Sequence, residues 1–178
     1  MSVTDVNYFL ALGTILLQLV SIVLLVVFVM RKRVTAFEDI AKSVGTWGLW
    51  IVFGVSFVAS VLALYYSEVL GFEPCPLCWW QRIFLFPQVV LAGLAAWKKD
   101  AYMAEYSIIL SVFGAGIALY QHVLQMMPGS GLPCPATGVS CSQRILFEFG
   151  YVTFPLMAFT TFAFLIVVML FVRSQRER

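Results

Sequence analysis

Charged residues are scarce in this chain of 178 residues, at 11%, while hydrophobic residues make up 62%. A soluble globular domain carries about 25% charged residues, so the composition excludes that class and indicates an integral membrane protein. The net charge is only +2, and the chain lacks the long basic tract that is typical of nucleic-acid-binding segments.

The apolar residues form five runs, and each run is long enough to cross a membrane. A spanning helix needs ~20 mostly apolar residues to cross ~30 Å of hydrocarbon. The predicted spans are roughly residues 7–30, 47–68, 79–97, 104–125 and 152–172. They leave no room for a soluble domain or a nucleotide-binding fold. No Lys or Arg precedes the first run and Arg31, Lys32 and Arg33 follow it, so we predict a true span and not a cleaved signal peptide.

Basic residues lie mostly on one side of this predicted membrane protein. Alternating the loops between the two sides assigns nine of them to one side: Arg31, Lys32, Arg33, Lys42, Lys98, Lys99, Arg173, Arg176 and Arg178. Only Arg82 and Arg144 fall on the other side. Because Lys and Arg concentrate on the cytoplasmic side, we predict an external N-terminus and a cytoplasmic basic tail at residues 173–178.

All four cysteines then lie outside the cytoplasm, where thiols oxidise. Three pairings are possible, and the spacings favour the local pairs Cys75–Cys78 and Cys134–Cys141. A disulfide that closes a two-residue gap contributes little stability, so the first pair is better explained as a redox dithiol. A zinc site of four cysteines is the alternative. We disfavour it because the second pair is widely spaced and because zinc would compete with oxidation; no metal is predicted.

Three residues near the outer surface are candidates for chemistry at this dithiol. Cys78 is predicted in the first turn of the third span, where a helix N-terminus favours negative charge. Arg82 follows one turn later on the same face and favours a thiolate. His122, the only histidine, is predicted at a similar depth. A lone histidine in an apolar helix is more often a packing residue, but an ionisable residue within a span is also a functional candidate.

The second cysteine pair lies in a long external loop rich in Pro and Gly. After it, the stretch SQRILFEFGYVTFP is predicted to be an amphipathic segment lying on the membrane. Its apolar side would consist of Ile145, Leu146, Phe147 and Phe149. Arg144 follows Cys141 by three residues, which leaves two interpretations open. Its guanidinium lies beside that thiol, or it extends toward lipid head groups.

Three stretches resemble the disulfide bond formation protein B (DsbB) family, especially its short BdbC-like branch. These are CPLCWWQRIFLFPQ, YQHVLQMMPGSGLPC and SCSQRILFEFG, and the resemblance covers about residues 46–172. It implies an all-α integral membrane protein whose core is an antiparallel bundle of four transmembrane helices. Residues 1–45 would then be an extra N-terminal transmembrane helix and a cytoplasmic link.

The resemblance also implies roles for the residues near the third span. Cys75 and Cys78 match the quinone-proximal pair, and Cys78 matches the thiolate that delivers electrons to a quinone, either ubiquinone or menaquinone. Arg82 matches the arginine that supports quinone reduction. His122 matches a histidine on the quinone side.

Cys134 and Cys141 match the loop pair that exchanges with a DsbA-like oxidase of the thioredoxin fold. The implied function is the reoxidation of that partner outside a bacterial cytoplasmic membrane, with the partner's thiolate attacking Cys134. Two alternatives remain at this point. One is a conduit that carries reducing equivalents across the membrane, and the other is a non-enzymatic scaffold with two structural disulfides.

Overall fold

All the long secondary-structure elements in the described part of the chain are α-helices. The computed structural model describes residues 3–127, 133 and 139–176. Its helices are α1 (Val3–Met30), α2 (Thr35–Leu64), α3 (Pro76–Lys98), α4 (Met103–Met126) and α5 (Phe154–Arg176), and a π-helical turn, Tyr65–Val69, extends α2. All five α-helices are long and apolar enough to cross a membrane. The prediction of a multi-pass, all-helical membrane protein is therefore confirmed.

The cytoplasmic link predicted before the second span is itself helical. α2 begins at Thr35, about twelve residues before the apolar run, and continues into that run without a break. The segment contains no proline, and Lys42 forms an ion pair with Glu38 one turn earlier, at 3.5 Å. Such pairs add modest support to an exposed helix. The apolar pattern located the span but not the polar turns that precede it.

Two local features bring the chain from α2 to the start of α3. The π-helical turn widens the end of α2, and turns of this kind often occur at functional sites. Gly71 then adopts a positive φ of 72°, which a glycine tolerates without the clash that a Cβ would cause. Pro76 occupies the first helical position of α3, where its missing N–H carries no cost.

α5 is the most buried of the five helices and packs against α1, α2 and α4. Its contact with α4 depends on a close approach at Gly114. A Cβ added there would meet the ring of Phe162 at 2.4 Å, and that ring is 1% exposed. Deeper in the protein, the amide of Gln88 joins α3 to α4 by hydrogen bonds with Ser107 and Ser111. Small residues and buried polar groups of this kind are typical of helix contacts in membranes.

Residues 139–153, which lead into α5, contain no helix. Residues 139–153 form turns and one isolated bridge between Glu148 and Val152. The stretch predicted to be amphipathic is therefore not helical, and its position on the membrane stays a prediction. Leu146 is 1% exposed and belongs to one buried cluster with Ala11 of α1, whereas Phe147 and Phe149 are 42% and 47% exposed. Only part of the predicted apolar side therefore faces protein.

We predict that Gly114→Leu lowers the free energy of unfolding by about 1–3 kcal/mol, because the larger side chain overpacks the contact between α4 and α5. Gly116→Leu is the matched control on the same helix, since a Cβ at that position meets no atom within 4 Å. Unfolding by SDS in mixed micelles measures both variants. Equal stability of the two proteins would contradict this account of the packing.

Candidate redox site

The Cys-x-x-Cys motif forms the N-terminal turn of α3. Cys75 is the N-cap residue, and its sulfur accepts a hydrogen bond from the backbone N–H of Cys78 at 3.4 Å. This replaces the oxygen cap that a Ser or Asp usually provides. The same turn brings the two Sγ atoms to 2.7 Å from each other. The helix start therefore fixes the geometry of the dithiol.

The two thiols of this pair differ in burial and in protonation. Cys75 is 4% exposed, whereas Cys78 is half-buried. The hydrogen bond with the Cys78 side chain, together with burial, raises the pKa of Cys75. Cys75 therefore keeps its proton, and Cys78 is the sulfur that can attack or leave as an anion. Its position in the first turn of a helix suits negative charge.

Arg82 lies one turn after Cys78, as predicted. Its Nη2 donates to the backbone oxygen of Ala63 at 2.8 Å, and its guanidinium lies 5.2 Å from the ring centroid of Trp79. It also interacts electrostatically with Cys78 and with Glu68. A single side chain thus connects α3 to α2 and places a permanent positive charge near the half-buried sulfur of Cys78.

Gln121 contacts the dithiol directly and was not identified from the sequence. Its Nε2 lies 3.1 Å from the sulfur of Cys75 and 3.4 Å from that of Cys78. Its Oε1 accepts a hydrogen bond from Gln81 Nε2 at 2.6 Å. Gln121 is 2% exposed, so these protein groups replace the water that its amide would otherwise bind.

The loop that carries Cys141 packs against the dithiol of Cys75 and Cys78. Cys141 is 1% exposed and its thiol interacts with that of Cys75. Its backbone oxygen lies 3.5 Å from Gln121 Nε2 and 3.4 Å from Gln125 Nε2. Arg144 Nε donates to the backbone oxygen of Gln125 at 2.8 Å, so its guanidinium ties the loop to the end of α4. Cys134, the other predicted member of this pair, lies outside the described residues.

His122 faces away from this cluster. Its Nδ1 lies 2.9 Å from the hydroxyl oxygen of Thr153, and Thr153 is fully buried just before α5. The contact matches the packing interpretation that the sequence left open. His122 is not among the described residues that line the cavity beside the dithiol.

A cavity of about 640 Å³ opens beside the dithiol. Cys75, Cys78 and Arg82 line it, and most of its wall is apolar side chains from α1, α2 and α5. This volume lies within the range of about 300–1,000 Å³ that is usual for small-molecule sites. The chemistry of the wall therefore suits a flat, lipid-soluble molecule that meets a sulfur and a guanidinium at one end.

No cluster for a metal ion occurs in the described part of the chain. Residues 3–127, 133 and 139–176 contain no group of three or more His, Cys, Asp or Glu that are placed to hold one.

Comparison with known proteins identifies similar sequences over most of the chain. The profile of the family "Disulfide bond formation protein DsbB" matches residues 45–172. "Probable disulfide formation protein C 1" of Bacillus anthracis is 41% identical over 117 residues, which are 65% of this chain and 84% of that protein. "Disulfide bond formation protein C" of Bacillus subtilis strain 168 is 33% identical over 129 residues, 72% of this chain and 91% of its own length.

A protein from a different bacterial genus is also similar. "Probable disulfide formation protein" of Chlamydia trachomatis serovar D is 39% identical over 121 residues, which cover 68% of this chain and 88% of that protein. No solved structure was found to match this chain.

We predict that Gln121→Leu slows the alkylation of Cys78 at neutral pH by about tenfold. The substitution removes an amide donor from the sulfur, and a hydrogen bond to a charged group contributes about 1.5 kcal/mol or more. Mass spectrometry after reaction of the reduced protein with iodoacetamide measures the rate at each cysteine.

Gln125→Leu is the matched control for this substitution, because it makes the same change one turn later on α4. The hydrogen bonds of Gln125 go to backbone oxygens at Cys141 and Gln143. Cys78 should therefore react at the wild-type rate in the control. Equal rates in the two variants would show that the Gln121 amide does not activate the sulfur.

Proposed function

Because this chain belongs to the DsbB family of disulfide bond formation proteins, we propose that it is a quinone-dependent protein-disulfide oxidoreductase. It reoxidises a DsbA-like partner of the thioredoxin fold outside the cytoplasm and passes the electrons to a membrane quinone. The observation that supports this most is the dithiol of Cys75 and Cys78, which lines an apolar cavity together with Arg82.

The exchange conserves atoms and electrons at each step. A thiolate of the reduced partner attacks the Cys134–Cys141 disulfide at Cys134, and a mixed disulfide forms as Cys141 leaves. The partner's second thiol then resolves that bond, so the partner is oxidised and the loop pair becomes a dithiol. A thiolate of the loop pair next attacks the Cys75–Cys78 disulfide, and a second resolution leaves these cysteines reduced.

The contact between Cys141 and Cys75 supports this transfer, because exchange needs two sulfurs within reach of one another. The quinone would be the terminal acceptor. As Cys75 and Cys78 return to a disulfide, it would take up their two electrons, the proton of Cys75 and a second proton from solvent. Cys78 is the sulfur that faces it, Cys75 holds the proton of the pair, and Arg82 stabilises negative charge at the cavity end. The resemblance puts His122 on the quinone side, but neither His122 nor its neighbour Thr153 is among the described residues that line the cavity.

The proposed topology follows the distribution of basic residues. Residues 46–172 form an antiparallel four-helix bundle in a bacterial cytoplasmic membrane, and residues 1–45 add the extra span and the helical link. The N-terminus and the cysteines lie outside, and the tail at residues 173–178 lies in the cytoplasm. Arg176 pairs with Glu105 at the start of α4, which is consistent with both residues lying at one membrane face.

We predict that Cys78→Ser abolishes quinone reduction by this protein, since a serine oxygen cannot form the disulfide that the reaction returns. Purified wild-type and variant proteins are mixed with a reduced thioredoxin-fold oxidase and a quinone, and quinone absorbance is followed. A wild-type protein that consumes no quinone in a thiol-dependent manner would refute the proposed function. That result would instead favour the alternative in which the protein is a non-enzymatic scaffold with two structural disulfides.

We predict that Arg82→Ala lowers quinone turnover by at least about tenfold, a conservative figure for the loss of a charge-stabilising donor. Reoxidation of the partner in a single turnover, measured without quinone, should change by less than about twofold. Arg82→Lys should recover part of the quinone rate because it keeps the charge. Arg33→Ala, an exposed arginine far from the cysteines in sequence, is the control. Equal losses in the two reactions would contradict the assigned role.

A further inference from the structure

α1 forms one wall of the cavity beside the dithiol, although it lies outside the family match. The match begins at residue 45, whereas α1 ends at Met30. Nevertheless Leu10, Gly13, Thr14 and Leu17 of α1 line the cavity together with the dithiol. The part of the chain that the family match leaves out thus reaches the proposed site of electron transfer.

Specific hydrogen bonds hold α1 in this position. Asn7 is 6% exposed, and its Oδ1 accepts from the hydroxyl of Tyr66 at 2.5 Å. About three turns later, Gln18 Nε2 donates to the hydroxyl oxygen of Thr160 on α5 at 3.1 Å. Interhelical hydrogen bonds of this kind fix helices against one another in an apolar medium. The cavity-lining residues of α1 lie between these two anchors.

Two glycines face the cavity from different helices. Gly13 of α1 and Gly54 of α2 both line it, and a Cβ added to either would meet no atom within 4 Å. Since α1 packs more extensively on α5 than on α2, the side between α1 and α2 is the loosely packed one. Gly13 is also exposed at the protein surface. Both glycines therefore leave free space beside the cavity, and at Gly13 this space lies at the protein surface.

We propose that α1 and α2 form a lateral portal at Gly13 and Gly54, through which the apolar tail of a membrane quinone passes while its ring lies near Cys78. This proposal rests on the proposed function and adds a role for the N-terminal helix. A quinone ring with a long hydrocarbon tail needs an apolar exit at bilayer depth, and the gap between the two glycines provides one. α1 is then a determinant of specificity for the tail of the acceptor.

The test compares two quinones that share a ring but differ in their tails, one isoprenoid and long, the other a short alkyl chain. In proteoliposomes, Gly13→Phe should raise the KM for the long-tailed quinone by about tenfold or more, which corresponds to ~1.4 kcal/mol. The KM for the short-tailed quinone should change by less than about threefold, because the ring site remains open. Single-turnover exchange with the partner should stay at the wild-type rate.

Gly54→Phe closes the same gap from α2. It should likewise raise the KM for the long-tailed quinone much more than the KM for the short-tailed one. Gly116→Phe is the matched control, because this glycine also has open space at its Cβ but lies on α4 away from the cavity. It should behave as wild type. An equal rise in KM for both quinones, or no difference between Gly13→Phe and Gly116→Phe, would overturn the portal.

A measurement without turnover separates this proposal from the proposed function. A long-tailed quinone with a photoreactive group at the end of its tail should label the peptide that contains α1, and Gly13→Phe should reduce that labelling several-fold. Labelling confined to α3, α4 and α5 would overturn the portal even if the wild-type protein reduces quinones. If wild-type protein reduces no quinone at all, the proposed function fails first.

Discussion

The amide of Gln121 is the contact on which the redox site depends. It is buried where water cannot reach it, so its two N–H groups and its oxygen must find partners in the protein. Those partners are the sulfurs of Cys75 and Cys78, the backbone oxygen of Cys141 and the side chain of Gln81. One residue on α4 thereby fixes the start of α3 and the second cysteine loop relative to each other.

The hydrogen bonds also create the asymmetry that a disulfide exchange site requires. Two equivalent thiols would compete for the same proton and for the same incoming sulfur. Here Cys75 caps the helix, is almost fully buried and retains its proton, while Cys78 remains accessible in the first turn. The helix end and Arg82 then favour negative charge on one sulfur only. In the proposed exchange, this difference would let electrons pass from the loop pair to the buried Cys75 and then to the half-buried Cys78.

The sequence predicted the five spans because an apolar run of ~20 residues matches the thickness of the bilayer and is typical of a membrane-spanning helix. It also predicted the neighbourhood of Cys78 and Arg82, because residues four apart share a helix face. It did not predict Gln121, since a neutral amide in an apolar helix is indistinguishable from any other buried polar residue until its partners are known. The same limit applies to Gly13, whose importance arises only from packing between helices that are distant in sequence.

The proposed role of α1 meets two opposing requirements of the site. A site that passes electrons from sulfur to a lipid-soluble acceptor must exclude water from the sulfurs and yet admit an apolar molecule from the bilayer. The loop that carries Cys141 packs beside the dithiol, and Leu146 of that loop belongs to one buried cluster with Ala11 of α1. α1 therefore supports this loop on one side, while the proposed portal at Gly13 would leave the site open to the bilayer. A helix that served only as an anchor would need neither the buried contact with the loop nor an open gap beside the dithiol.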